Sequence, residues 1–333
     1  MFDTALLAIG MLVLLALAFD FMNGFHDAAN SVAILVSTRA MSPKWAVLWA
    51  AFFNFIAFLF FGVTVAKTIG SGIVDPSAVN NSVIFGALAG ATIWNIITWR
   101  FGIPSSSSHA LVGGFAGAAV ANAGFESLIA KGFIKTGAAI ILSPLLGLVL
   151  ALALTVALSW LLIRSTPFAV DARFRRLQFI SASLYSLGHG GNDAQKTMGI
   201  IAALLYANGM LEGEFSIPFW VVIACQLAMG MGTLLGGWRI VRTMGMGITK
   251  LRPVTGFCAQ TAGGITLFLA TWLGIPVSTT HTITGAIIGV GMTRRVSAVR
   301  WGVARNIVWA WVLTIPASAL IAAIFQSISA RFL

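Results

Sequence analysis

Asp27 and Asp193 each interrupt a long apolar run, and that restricts the chain to few folds. The first stands in Gly24-Phe25-His26-Asp27-Ala28-Ala29-Asn30. The second stands in Gly190-Gly191-Asn192-Asp193-Ala194-Gln195-Lys196, 166 positions later. A carboxylate at bilayer depth is costly and marks a functional site by default. A second motif is also doubled: Gly102-Ile103-Pro104-Ser105-Ser106-Ser107-Ser108-His109 and Gly274-Ile275-Pro276-Val277-Ser278-Thr279-Thr280-His281, 172 positions apart. Two motifs repeated at nearly one spacing mark an internal duplication.

Composition places the chain in lipid. Its charged residues make up 9% and its hydrophobic ones 59%, where a globular domain carries roughly 25% charged. Apolar runs fall near 4–37, 45–66, 82–99, 105–122, 133–163, 179–207, 217–237, 254–273, 276–292 and 302–331. Most reach the ~20 residues that a transmembrane helix needs. A net charge of +11 would suggest nucleic acid in a soluble protein. Here the bases sit in short loops between apolar runs, so no nucleic-acid partner is expected. Cys225 and Cys258 lie in apolar segments and read as packed thiols rather than a disulfide or metal pair. The run Ala5 to Phe19 lacks a basic leader and continues into the first motif, so it is expected to be retained.

Glycines around Asp193, and Asn23-Gly24 before Asp27, predict local unwinding of those two helices. Irregular backbone at that depth is tolerated only where protein or a water-filled cavity covers it. The Gly-x-Pro-x-Ser turns predict two helical hairpins whose tips dip into the membrane, with hydroxyls capping each second arm. With the N-terminus outside and each hairpin returning to its side of entry, inside loops hold Arg39 and Lys44; Arg164, Arg173, Arg175 and Arg176; Arg239, Arg242, Lys250 and Arg252; and Arg294, Arg295, Arg300 and Arg305. Outside fall Lys67, Lys131, Lys135 and Arg331, with Glu212 and Glu214. The bias predicts both termini outside. Residues 1–163 then form one membrane repeat, 164–178 a basic cytoplasmic linker, and 179–333 a second repeat of opposite orientation. Pro144 and Pro316, again 172 apart, mark matching closing helices. The fold class expected is an all-α polytopic membrane protein of two inverted-topology repeats, with broken helices and two re-entrant helical hairpins. That architecture belongs to secondary transporters.

The polar chemistry is concentrated in the motifs, which hold all four histidines: His26, His109, His189 and His281. Ser105, Ser106, Ser107 and Ser108, with Ser278, Thr279 and Thr280, stand where two helices begin. A helix N-terminus offers free N–H donors and a positive dipole end, which suit a tetrahedral oxyanion. The plainer alternative is that these hydroxyls only cap. The Asn-Asp segments would repel an anion unless a cation or proton sits between, or unless each Asp merely pairs with Lys196 or a histidine. Asp20 has no acidic counterpart, since Ser186 stands at the matching position.

These paired motifs resemble the inorganic phosphate transporter (Pit) family over essentially the whole chain, and Asn23 to Asn30 is similar to its bacterial branch. The resemblance implies cation-coupled phosphate uptake, inverted repeats with re-entrant hairpins, a homodimer in the cell's inner (plasma) membrane and no resident cofactor. It places phosphate binding on Ser105 to Ser108 and Ser278 to Thr280. Cation or sodium binding falls on Asp27, Asn30, Asn192 and Asp193. Two departures stand out: His26 replaces an Asn of the fuller motif, and Lys196 replaces the Asn expected by symmetry with Asn30. A fixed ammonium at Lys196 can take the place of one cation, and His26 adds a group that titrates near neutral pH. The expected coupling is therefore to protons, or to a divalent metal carried as metal–phosphate, ahead of several sodium ions. A PhoU-like accessory protein at the basic loops is implied only by resemblance.

Sulfate is the nearest rival substrate. An intramembrane Ser/His hydrolase is a remote one, since Ser108-His109 and buried carboxylates superficially suit a triad. Yet adjacent helical residues point about 100° apart, and no Gly-x-Ser-x-Gly elbow occurs. Doubling of every polar element fits alternating access better than one catalytic centre.

Overall fold

The computed structural model describes residues 4–211 and 213–332; Glu212, expected in an outer loop, lies outside them. The first half contributes α1 (Thr4–Ser37), α2 (Pro43–Phe55), α3 (Thr64–Gly72), α4 (Asn81–Phe101), α5 (Ser107–Ala123) and α6 (Ala130–Leu161). The second repeats the series with α7 (Pro167–Ala207), α8 (Phe219–Leu235), α9 (Trp238–Arg242), α10 (Pro253–Trp272), α11 (Thr279–Met292) and α12 (Trp301–Ser329). Among the described residues, five helices alone are long and apolar enough to cross a membrane, and up to seven spans result if two bent pairs each count as one. Most of the expected linker is helix, because Thr166 caps α7 and Pro167 opens it.

The breaks are not where the glycines suggested. α1 and α7 run through Asp27 and Asp193 without interruption. The chain bends instead between α2 and α3, by 80°, and between α8 and the segment Trp238–Gly247, by 63°. The first bend falls inside the apolar run 45–66, and the second at the end of the run 217–237. The motif glycines serve close approach: a Cβ on Gly24 would collide with the Met229 carbonyl of α8, and one on Gly190 with the Asn54 carbonyl of α2. Each Asp-bearing helix is thus pressed against a helix of the opposite half.

The hairpins go further in mixing the halves. Hairpin α4–α5 packs on α12, and hairpin α10–α11 on α6, so each hairpin rests on the closing helix of the other repeat. Gly113 and Gly117 of α5 face the backbone of Ile315 and Ala319; Gly285 and Gly289 of α11 face that of Pro144 and Leu148. Small residues four apart let helices approach closely where no hydrophobic drive exists between them. The repeats are interleaved rather than set side by side.

The tips reach across the bundle. Gly102 and Gly274, both with positive φ, end the first arms. Thr243 Oγ1 donates to the Gly102 carbonyl at 2.9 Å, and Arg239 Nη1 to that of Arg100 at 2.6 Å. At the opposite end, Thr68 Oγ1 donates to the Gly274 carbonyl at 2.8 Å and Lys135 Nζ to the same oxygen at 3.1 Å. The first hairpin's base pairs Asn81 with Asn208 and Asn122 with Gln326. Each first arm therefore runs the length of the bundle, as α4 (21 residues) and α10 (20 residues) can.

Candidate functional site

Ser106 and Ser278 cap α5 and α11, each side chain accepting from the amide of the histidine three residues on (3.2 and 3.1 Å). Ser105 turns to Thr98, at 2.9 Å. The hydroxyls one and two residues past each cap converge at the centre. Ser107 Oγ donates to Asp27 Oδ2 at 2.5 Å, and Thr279 Oγ1 to Asp193 Oδ2 at 2.8 Å. These are contacts within one repeat. Across the repeats, Thr280 Oγ1 lies 3.5 Å from Asp27 Oδ1, and Ser108 Oγ 3.3 Å from Asp193 Oδ1. Each carboxylate thus meets a hydroxyl from both hairpins, in a two-fold pattern.

The residues one turn beyond each Asp break the symmetry. Asn30 Nδ2 donates to Thr280 Oγ1 (2.9 Å) and Thr279 Oγ1 (3.3 Å), while its Oδ1 has no hydrogen-bond partner among the described residues. At the matching position, Lys196 Nζ donates to Ser108 Oγ (2.5 Å), the Val277 carbonyl (2.7 Å) and Asp193 Oδ1. An ammonium held by a carboxylate, a hydroxyl and a carbonyl has the ligand set of a bound hard cation. The ion pair is the contact that a merely structural Asp193 would make as well.

His26 and Asn192, each just before its Asp, face the hairpin turns. His26 Nδ1 is 2.7 Å from Asp27 Oδ1, and its Nε2 is 3.1 Å from Thr98 Oγ1. Asn192 Nδ2 donates to Thr271 Oγ1 at 3.0 Å, and its Oδ1 accepts from the Val277 amide at 3.3 Å. All six residues of the expected coupling set are buried here.

Two contributors escaped the sequence reading of the site. His189 Nε2 stands 3.2 Å from Asp193 Oδ2, and Asn23 Oδ1 accepts from Ser107 Oγ at 2.6 Å. Both precede their Asp by one helical turn, 166 positions apart, and that offset was the available signal. Ligand atoms of Asp27, His189 and Asp193 lie within 4.8 Å of one another, a mixed nitrogen and oxygen set able to hold a metal ion.

His109 and His281 meet behind the tips in an edge contact, with ring centroids 4.3 Å apart, and His281 stacks on Trp311. Ser108 Oγ engages Lys196 and Asp193 rather than His109, so the Ser108-His109 pair of a hydrolase does not form.

Inverted, interleaved repeats with paired carboxylates at two hairpin tips are the architecture of a membrane transport protein. The phosphate transporter family matches residues 23–322. The chain belongs to that family. A protein of Rhizobium meliloti (strain 1021), named probable low-affinity inorganic phosphate transporter, is 68% identical over 94% of both chains. One of Bacillus subtilis (strain 168) with the same name is 47% identical over 97% of both. The solved structure named "The sodium-dependent phosphate transporter" superposes with a TM-score of 0.89 at 26% identity, covering 98% of this chain and all of that one. These names describe transport, not catalysis, and none concerns sulfate.

Proposed function

We propose that the chain imports inorganic phosphate as a cation-coupled symporter, by alternating access around Asp27 and Asp193. The observation that carries this reading is the sharing of hydroxyls. Ser107, Ser108, Thr279 and Thr280 are the donors that suit a phosphate, and in this arrangement they lie against the two carboxylates. A hydroxyl has one proton to give. While both carboxylates are ionised they hold these donors and repel an anion. A cation or proton that neutralises them frees the hydroxyls to turn to phosphate oxygens, beside the N-termini of α5 and α11. Loading of cation and anion is thereby linked without a fixed arginine clamp that would slow release.

The moving bodies in this reading are a hairpin with the closing helix that it grips, α4–α5 with α12 and α10–α11 with α6, rather than the N-terminal against the C-terminal half. Cation contacts fall to Asp27, Asn30, Asn192 and Asp193, with His26 as a protonatable neighbour. Because Lys196 holds a cation's place, coupling is to protons, or to a divalent ion entering as metal–phosphate at Asp27, His189 and Asp193, ahead of several sodium ions. We further place the protein in the plasma (inner) membrane, with both termini outside, as a homodimer served at its basic inner loops by a PhoU-like accessory protein.

Phosphate uptake by purified protein in liposomes tests this, with proton and sodium gradients imposed separately and unlabelled sulfate as competitor. Proton-driven uptake indifferent to sulfate is expected. Absolute dependence on sodium would overturn the coupling, and equal competition by sulfate the substrate.

A further inference from the structure

Asp20 is wholly buried, yet the contacts that organise Asp27 and Asp193 leave it out. It lies two helical turns before Asp27 on the same face of α1. Oδ1 accepts from Thr197 Oγ1 of α7 at 2.9 Å, and Oδ2 has no hydrogen-bond partner among the described residues. No basic group pairs with it among the described residues, since the ammonium of Lys196, next to Thr197, is committed to Asp193, Ser108 and Val277.

The ionisable groups that act on Asp20 are Asp193 from α7 and the Cys225 thiol from α8, with Asn23 of its own helix as a polar neighbour. The other helices against α1 carry Lys44 on α2, Arg100 on α4, Arg239 and Arg242 on α9, His109 on α5, Cys258 on α10 and His281 on α11. None of them hydrogen-bonds or ion-pairs with Asp20. An ionised carboxylate in such a place bears a desolvation cost that the Thr197 hydroxyl and its neutral neighbours offset only in part. A metal ion would need several oxygen ligands, and one carboxylate, one hydroxyl and a thiol do not supply them. A proton needs only the carboxylate. Ser186, at the matching position of the second repeat, cannot hold an exchangeable proton in this way, so the site exists once per chain.

We propose that Asp20 is a proton-binding site that carries a coupling proton apart from the Asp27–Asp193 centre. The carboxylate takes a proton from water on one side of the membrane, forming an O–H bond, and returns it to water on the other. Its link to the centre is Asn23. Ser107 Oγ lies 2.6 Å from Asn23 Oδ1 and 2.5 Å from Asp27 Oδ2, and its single proton serves only one of them at a time. A charge change at Asp20 reorients Asn23 and so biases that choice. The inference rests on the transport reading above and adds a separate proton carrier to it.

The test compares the full-length parent with Asp20→Asn and Asp20→Glu in liposomes, and with infrared difference spectroscopy. Asp20→Asn should lose proton-driven phosphate accumulation, keep phosphate–phosphate exchange stripped of its pH dependence, and lack a protonated-carboxyl C=O band that the parent shows at neutral pH. Asp20→Glu should regain accumulation and the band. Accumulation with the parent's pH dependence in the Asn variant, or an unchanged carboxyl band, overturns the proposal. So does loss of exchange and accumulation in both variants, which would mark a structural role. A parent that exchanges phosphate but ignores proton gradients refutes the proton coupling proposed above, and the infrared band still decides whether Asp20 holds a proton.

Discussion

Lys196 reaches the Ser108 hydroxyl at 2.5 Å just as Asn30 reaches that of Thr280 at 2.9 Å, so an ammonium and a carboxamide hold equivalent places in one pseudo-symmetric site. One repeat carries a permanent positive charge where the other carries a neutral group with an unpartnered oxygen. Charge neutralisation at the two carboxylates is therefore unequal by construction. The Asp193 side is offset from within by Lys196; the Asp27 side has the His26 imidazole beside it and no ammonium among the described residues.

Lys196→Asn restores the symmetric pair and removes the internal charge. Uptake in liposomes should then acquire or strengthen a dependence on sodium, read by comparing sodium-loaded with sodium-free buffer at fixed pH. An unchanged ion requirement would count against the ammonium as a stand-in.

Asp193→Ala should abolish phosphate uptake while the protein still reaches the membrane at parental abundance. The substitution also strands Lys196 without its carboxylate, so Asp193→Ala with Lys196→Ala is the cleaner background. Uptake surviving in either would remove Asp193 from the transport centre.

In the proposed site, capping and binding separate by one residue. Ser106→Ala should lower stability by about 1 kcal/mol through the lost cap, read as an earlier melting midpoint, with little change in the half-saturating phosphate concentration. Ser107→Ala should do the reverse, raising that concentration while melting stays near the parent's.

Gly285→Leu should prevent α11 from seating on α6, because the added side chain meets the Pro144 carbonyl. Overpacking of this kind costs about 1–3 kcal/mol or more, and melting of the purified protein should fall accordingly. The same change at Gly137, where an added Cβ meets nothing within 4 Å beyond its own helix among the described residues, should leave melting nearly unaltered.

Asp75, in the loop before α4, caps the short turn Pro76–Ala78, accepting from the Ser77 amide at 2.9 Å and from its hydroxyl at 2.6 Å. The Ser77 hydroxyl, then its amide, holds the carboxyl below the usual carboxylate range. A depressed native value gives a contribution that is full above the unfolded value, near ~3.9, and fades as pH falls through the native one. The melting difference between parent and Asp75→Ala should thus be visible at neutral pH and vanish in acid.

The helices, hairpins and duplicated centre were legible because apolar length and the 166- and 172-residue offsets are local or repeating features of the sequence. What glycines do beside a buried Asp was not. Gly24 and Gly190 read equally as points of unwinding or of close contact, and only the carbonyls of Met229 and Asn54, far away in the chain, decide for contact. The first bend also lay hidden within the continuous apolar run 45–66. The crossing of hairpins to opposite closing helices has no local signature, since Gly113 and Ile315 meet only in the folded chain. Of the site, Asp27, Asp193 and the central hydroxyls converge as the motifs suggested, whereas His189 and Asn23 needed the offset to be applied one turn earlier.

The crossing of the hairpins orders the chain in time as well as in space. Hairpin α4–α5 leaves the ribosome well before α12, yet its glycine face is shaped for that later helix. Throughout synthesis of the second repeat the first hairpin must wait in lipid with its docking surface uncovered. A carrier built this way cannot mature one half after the other. It locks when the late helix slides home, so faults near the C-terminus should leave the N-terminal hairpin open to proteases.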